Sequence, residues 1–402
     1  MKNRLFRLQI AVFALVSATF TNIYITQPIL PVLQDEFSVS PAQVSMTVSI
    51  VILGIVFSNL LFGYLADRFS IRPIILTGGI CVAIGGMISS QTHQFNILLM
   101  ARMFQGLFIP ALTTSLAAWL AKTLPKERLK VIMGSYVAAT VLGGLGGRLL
   151  GGWIHPPFHW RYAMISASVL VIFTMILALI MLPKPQKSAI SLNGNRDKAD
   201  LPMKENQEKQ ESSYLSIVMR KELFLIYACG AGGLMMFQPL FNFLSYRLAA
   251  PPFSYSTETI TLVYLVYALG IFLGPMAGQL SNKLGGGNIL IAGSILMGIS
   301  FILLLLPSIT AVLAGVVGVC AGFFSIHAVA VGLLNEKLTG SQGKANAVYV
   351  LFYYTGGWLG ITGAGFTFEK FGWYGVIGFV VCFLAIPLAT GINERNSSKY
   401  TS

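Results

Sequence analysis

The chain has 402 residues, 55% of them hydrophobic and only 10% charged, a composition too apolar for a water-soluble protein of this length. A formal charge of +13 would point to nucleic acid if the basic residues shared one solvated face, but they fall in alternate loops between apolar runs. Those runs are each about 20 residues or longer, which predicts membrane-spanning helices and excludes the shorter, alternating strands of a barrel.

Lys2, Arg4 and Arg7 precede the first run as they would in a secretory leader, yet the run is too long and lacks a small-x-small cleavage site, so it is expected to stay as the first span. Six spans are expected at about Leu8–Leu33, Ala42–Ala66, Pro73–Gln91, Asn96–Ala121, Val131–Ile154 and Trp160–Leu182. Pro183–Lys221, rich in Lys, Glu, Gln, Asn and Ser and without an apolar period, is expected to be a flexible linker. Six more spans follow at about Glu222–Arg247, Thr257–Ser281, Asn288–Leu306, Thr310–Asn335, Ala345–Phe368 and Trp373–Ile392. The expected fold class is an all-α membrane protein of twelve transmembrane helices, with one six-helix bundle over 1–182, the linker over 183–221 and a second bundle over 222–402. Cys81, Cys229, Cys320 and Cys382 all lie inside apolar runs without metal-ligand spacing, so neither a disulfide nor a metal site is expected.

Basic residues set the orientation. Lys2, Arg4, Arg7, Arg68, Arg72, Lys122, Lys126, Arg128, Lys130, the linker's cations, Lys283, Lys337, Lys344, Arg395 and Lys399 fall on one side, against Arg161, Arg247 and Lys370 on the other. That bias puts both termini and the linker in the cytoplasm, in a multi-pass protein of the inner membrane. The halves also repeat. Gln27-Pro28 recurs as Gln238-Pro239, Gly63-x-Leu65-x-Asp67-Arg68 as Gly278-x-Leu280-x-Asn282-Lys283, and Gly143-Gly144-x-x-Gly147 as Gly356-Gly357-x-x-Gly360, at offsets of 211, 215 and 213 positions. Parallel six-helix repeats are an architecture of transporters that rock around a midplane site.

The turn Gly63-Tyr64-Leu65-Ala66-Asp67-Arg68, with Arg72 behind it, resembles the loop 2–3 signature of the major facilitator superfamily; Ser70 and Ile71 depart from the usual Gly and Arg. Arg102-x-x-Gln105-Gly106 resembles a second family signature, whose Arg is often tied to proton coupling. Gly143-x-x-x-Gly147-Arg148-x-x-Gly151-Gly152 resembles the antiporter signature of the family's exporters, with Arg148 where Pro is expected. The resemblance covers essentially the whole chain. It implies a latch at Gly63, Asp67, Arg68 and Arg72 that ties the halves together in the outward-facing state. It further implies helix packing through Gly143, Gly147, Gly151 and Gly152, and a cavity lined by spans 1, 4, 7 and 10.

On the cavity spans the polar and aromatic candidates are Asn22, Tyr24, Gln27, Gln105, Gln238, Phe241, Asn242 and Phe323, a mixture suited to an amphipathic organic ligand and equally to helix–helix bonding. Arg102 and Arg148 are expected at matching depth, about 9 Å below the outer surface; each is expected to face the cavity or else to snorkel outward or bond helix carbonyls. His327, deep in span 10, has the chemistry of a proton carrier or of a neutral inter-helix bond; Tyr349, Tyr353 and Tyr354 lie on span 11. No carboxylate occupies the middle of a span, so a cavity with two arginines favours neutral, zwitterionic or anionic compounds. Gly143–Gly147 lies within an apolar helix and is no phosphate cradle, and no Walker sequence is present, so an ion gradient is the expected energy source. The leading expectation is a monomeric, cofactor-free drug–proton antiporter of the multidrug efflux kind, with protons, a small-molecule substrate and the lipid bilayer as its partners and no nucleic acid. An importer or facilitator of an organic anion, sugar or related metabolite is the alternative. A membrane receptor or enzyme would need a soluble domain or buried catalytic cluster, and neither is visible.

Overall fold

Helix boundaries follow from a few local stop signals, seen in a computed structural model that describes residues 2–182, 214–338 and 342–399. α1 (Lys2–Tyr24) gives out just before Pro28, which has no N–H to extend the ladder; Gln27–Ile29 makes one 3₁₀ turn and α2 (Leu30–Phe37) completes the crossing. A reciprocal cap opens α3 (Pro41–Arg68): the Gln43 backbone N–H donates to Ser40 Oγ at 3.2 Å and the Ser40 N–H to Gln43 Oε1 at 2.9 Å. Next come α4 (Ile71–Gln91), α5 (Phe95–Leu112), α6 (Thr114–Thr123), α7 (Lys126–Ile154) and α8 (Trp160–Met181). α5 and α6 form one crossing that bends at Thr113, three residues after Pro110.

The second half comprises α9 (Tyr214–Val218), α10 (Lys221–Ala249), α11 (Thr257–Val263), a 3₁₀ stretch at Tyr264–Leu269, and α12 (Gly270–Leu284). It ends with α13 (Gly286–Leu305), α14 (Ile309–Glu336), α15 (Gln342–Val381) and α16 (Ala385–Lys399). Of the linker expected over 183–221, residues 183–213 lie outside the described residues. The rest departs from that expectation: α9 is helical, packs on α10 and α15, and buries Ile217, because that apolar side chain finds a hydrophobic cluster to join.

Among the described residues eleven helical segments are long and apolar enough to cross a membrane, and the last of them, Gly343–Ser397, runs 55 residues. Straight, it would reach about 80 Å, well over twice a hydrocarbon core of about 30 Å. It turns back at Gly372, whose φ of 57° and ψ of −145° are non-helical. Beyond the turn, Gly375 packs on Thr367 and Phe379 on Gly363, the register of an antiparallel hairpin. The chain thus makes twelve crossings.

Both halves pack by the same scheme. α1 lies on α7 as α10 lies on α15, α4 on α5 as α13 on α14, and α4 on α8 as α13 on α16. Glycines let the first pair close: a methyl group added at Gly143, Gly147 or Gly151 would overlap the carbonyl oxygens of Ser17, Thr21 and Ile25, and one at Gly356 that of Ala231. One face of the bundle carries the helix ends near Leu5 and Arg68, and the other carries Phe37 and Gly372. The halves meet from the second face down to mid-depth: Ala42 N donates to Glu369 Oε1 (3.2 Å), Thr362 Oγ1 to Ser49 Oγ (3.4 Å) and Ser245 Oγ to the Gln27 carbonyl (3.1 Å). Near the first face Gly134, Gly274, Gly278 and Gly332 have open space where a side chain would stand.

Filling the glycine ridge is therefore costly where a carbonyl abuts it and harmless where nothing does. Gly147→Leu is expected to cost at least the ~1–3 kcal/mol of core overpacking, read as a lower melting midpoint or lost folded protein in detergent, while Gly134→Leu keeps the wild-type midpoint.

Candidate functional site

The ten expected cavity residues divide into three groups. Asn22, Arg102 and Gln105 form a network closed within the first half. Arg102 is fully buried and donates through Nε to the Thr47 carbonyl (3.0 Å), through Nη1 to the Asn22 carbonyl (2.7 Å) and Gln105 Oε1 (2.7 Å), and through Nη2 to the Ile23 carbonyl (2.9 Å). Gln105 Nε2 in turn donates to the Val82 carbonyl (3.0 Å) and Asn22 Oδ1 (3.3 Å), so one side chain pair ties α1, α3, α4 and α5 together. Hydrogen bonds to a charged donor are each worth about 1.5–3 kcal/mol, enough together to offset the several kcal/mol that burying a guanidinium costs.

Tyr24, Gln27, Arg148, Gln238, Phe241 and Asn242 come together at the seam between the halves. Arg148 is as deeply buried as Arg102 and far less satisfied. Its Nε donates to Gln27 Oε1 (2.8 Å) and its Nη1 to the Gly144 carbonyl (2.9 Å), while Nη2 has no hydrogen-bond partner. Four rings surround the guanidinium carbon, with centroids at 4.3 Å for Tyr267, 4.6 Å for Tyr24, 5.1 Å for Phe241 and 5.7 Å for Tyr264. Desolvated cation–π contacts contribute about 2 kcal/mol or more, but they leave the N–H groups without hydrogen-bond acceptors. Across the seam Gln238 Nε2 donates to the Tyr24 hydroxyl (2.6 Å) and Gln27 Nε2 to Asn242 Oδ1 (3.5 Å). Gln238 Oε1 and Asn242 Nδ2 are also buried without partners.

Tyr264 and Tyr267 escaped the sequence reading. They stand three residues apart on a 3₁₀ segment, whose three-residue turn stacks both on one side. Residues three apart share a face in an α-helix as well, so their pairing was visible in the spacing; what the spacing did not show is that this face turns to Arg148. Gly144, on the antiporter-like ridge, makes room for the Tyr267 ring.

Phe323 and His327 form the third group. Phe323 stacks on Phe237 with centroids 3.9 Å apart, and Phe237 reaches the Tyr267 ring at 5.9 Å, so an aromatic strip runs from the Arg148 box to α14. One turn on, His327 lies parallel to Phe323, places Nδ1 3.0 Å from the Tyr349 hydroxyl and packs against Tyr353 at 4.7 Å. Among the described residues no ion pair involves Arg102, Arg148 or His327, and the buried carboxylate Glu394 pairs with Lys337 (3.0 Å) at the first face.

The expected latch residues keep to their own half in this conformation. Asp67 pairs with Lys122 (2.5 Å), Arg68 covers the Tyr64 ring (4.6 Å), and Arg72 donates to the Leu179 and Leu182 carbonyls (2.5 and 3.1 Å), while Gly63 faces Thr114.

The chain is similar in sequence to the inner membrane transport protein YnfM of Escherichia coli K12, 26% identical over 388 residues, 96% of this chain and 89% of that protein. An uncharacterized MFS-type transporter of Bacillus subtilis 168, YybF, is 25% identical over 383 residues, covering 95% and 92%. In fold the chain matches a bacterial homolog of the human lysosomal transporter Spinster, solved in an inward-facing, occupied conformation, with a TM-score of 0.76 at 13% identity over 97% of this chain and 96% of that one. The sequence profile of the Major Facilitator Superfamily matches residues 12–360. A duplicated twelve-helix bundle, closed around polar side chains at its seam and carrying that profile over most of its length, belongs to the major facilitator superfamily: it is a multi-pass membrane transporter of small molecules and not an enzyme.

Proposed function

We propose that the chain exports a small organic molecule across the inner membrane by exchange for protons, working as a monomer whose halves, 1–182 and 222–402, rock about the seam. The observation that carries this reading is the seam itself, where unpaired polar groups and rings from both halves converge at mid-depth, closed toward one face. The loop charge bias supports cytoplasmic termini, which makes the closed face the outer one and this conformation open to the cytoplasm. The glycine ridge of α7, which packs on α1 as an exporter's antiporter signature would, supports the direction. His327 is the proton carrier of this reading, since it is the one imidazole within a span and its bonding partner is a neutral tyrosine. Arg102 holds the first half rigid around it. Asp67, Arg68 and Arg72 exchange their present partners for the second half when the outer side opens, with Gly63 leaving room for the approach.

Closure at the outer seam is tested by joining it. In protein with Cys81 and Cys382 replaced by serine, the pair Ser49→Cys and Thr362→Cys is close enough for a disulfide, given the 3.4 Å between the hydroxyl oxygens. Oxidation is expected to stop transport and reduction to restore it; full transport by the oxidised protein counts against rocking at this seam.

Coupling is tested in inverted vesicles. An inside-acid gradient is expected to drive accumulation of substrate and its collapse to abolish it, while His327→Gln, expressed at normal level, is expected to lose gradient-driven flux about tenfold or more and to keep downhill exchange. Unimpaired gradient-driven transport by the variant removes the histidine from the mechanism.

A further inference from the structure

Taking the seam as the transport pathway, which is the reading proposed above, we infer that it selects an organic carboxylate with a hydrogen-bond donor beside the carboxyl group and a flat, apolar body. Three buried groups there lack partners: Arg148 Nη2 and Asn242 Nδ2, both donors, and Gln238 Oε1, an acceptor. Gln238 and Asn242 are four residues apart on α10 and so share one helix face. Gln27 links the set, accepting from Arg148 Nε and donating to Asn242 Oδ1. Two donors beside one full positive charge match the two oxygens of a carboxylate, and the remaining acceptor matches a neighbouring hydroxyl or amino group.

Charge narrows the class further. No carboxylate side chain pairs with Arg148 among the described residues, so the guanidinium enters the seam without a counter-ion and a bound anion supplies one. A cation meets the same uncompensated charge and is repelled. Phosphate, with a charge of about −1.5 to −2, calls for more than the single cation present. Tyr24, Phe241, Tyr264 and Tyr267, which ring the guanidinium, continue through Phe237 to Phe323 and offer stacking surface to a flat substituent. Arg102 shows the contrast: each of its three nitrogens already donates, to carbonyls of its own half or to Gln105, whereas Nη2 of Arg148 donates to nothing.

Binding of 3-phenyllactate, its amide, hydrocinnamate (which lacks the hydroxyl) and the cation phenylalaninol to the purified full-length protein tests this, by titration calorimetry and by melting midpoint. Phenyllactate is expected to bind about tenfold or more tightly than its amide and than phenylalaninol, and more tightly than hydrocinnamate. Arg148→Gln is expected to abolish the preference for acid over amide, Arg148→Lys to keep part of it, and Asn242→Leu to weaken acid binding while its unliganded protein still melts cooperatively; the last two carry the test if Arg148→Gln fails to fold. Equal binding of acid and amide, preference for the cation, failure of both acids to bind wild-type protein, or an undiminished acid preference in Arg148→Gln overturns the inference. Flux in proteoliposomes separates it from the antiport reading. Protons entering as a carboxylate leaves move positive charge inward on both counts, so an inside-negative potential is expected to speed phenyllactate efflux. Tight acid binding without gradient-dependent flux keeps the inference and removes antiport; gradient-driven flux of phenylalaninol without any acid preference does the reverse.

Discussion

A guanidinium inside a bilayer brings five N–H groups and one charge that water can no longer satisfy, and the fold answers this demand in two opposite ways. Around Arg102 it supplies the Asn22 and Ile23 carbonyls from the last turn of α1, the Thr47 carbonyl of α3 and the Gln105 side chain. Around Arg148 it supplies one amide, one carbonyl of the same helix and four rings. The first arrangement makes a rigid half; the second leaves hydrogen-bonding capacity where the halves meet. Residue type and burial are the same in both, so their difference in hydrogen bonding comes from their neighbours.

The strength of packing follows the same division. Within each half, glycine ridges press backbone against backbone, contacts that no side-chain rearrangement can relax. Between halves the described hydrogen bonds number five, four of them between 3.1 and 3.5 Å; the four between neutral groups are worth about 0.5–1.5 kcal/mol each and the one to the Glu369 carboxylate about 1.5–3 kcal/mol. These bonds sum to several kcal/mol, a scale on which a ligand's differential affinity shifts a balance between two conformations. Halves packed backbone to backbone and joined by a short list of hydrogen bonds fit the rocking proposed above.

Much of this was legible in the sequence. Apolar run length located the crossings, including the twelfth, which the structure joins to the eleventh by a hairpin at Gly372, and the shared offset of three motifs anticipated that α1–α7 and α10–α15 would pack alike. Six of the ten expected cavity residues do meet at the seam. The remainder was hidden for identifiable reasons. Depth along a helix does not reveal azimuth, so Arg102 and Arg148 looked equivalent. The spacing of Tyr264 and Tyr267 does not show that the face they share turns to Arg148. α9 was read as linker because five residues are too few to show a period, although one buried isoleucine suffices to dock them.

Charges at the faces differ between the halves in a way that bears on the cycle. Asp67 and Lys122 are each more than half exposed, and an exposed pair contributes about 0–1 kcal/mol, so the first half gives up this contact at little cost when its turn is offered another partner. Lys337 and Glu394 are 22% and 7% exposed, and separating a pair so shielded leaves a carboxylate short of both water and countercharge. The duplicated bundle is thus unequal at its open face. If the halves rock as proposed above, the weakly paired first-half turn at Gly63 and Asp67 is the contact that exchanges partners, and the shielded Lys337–Glu394 pair is the one that holds.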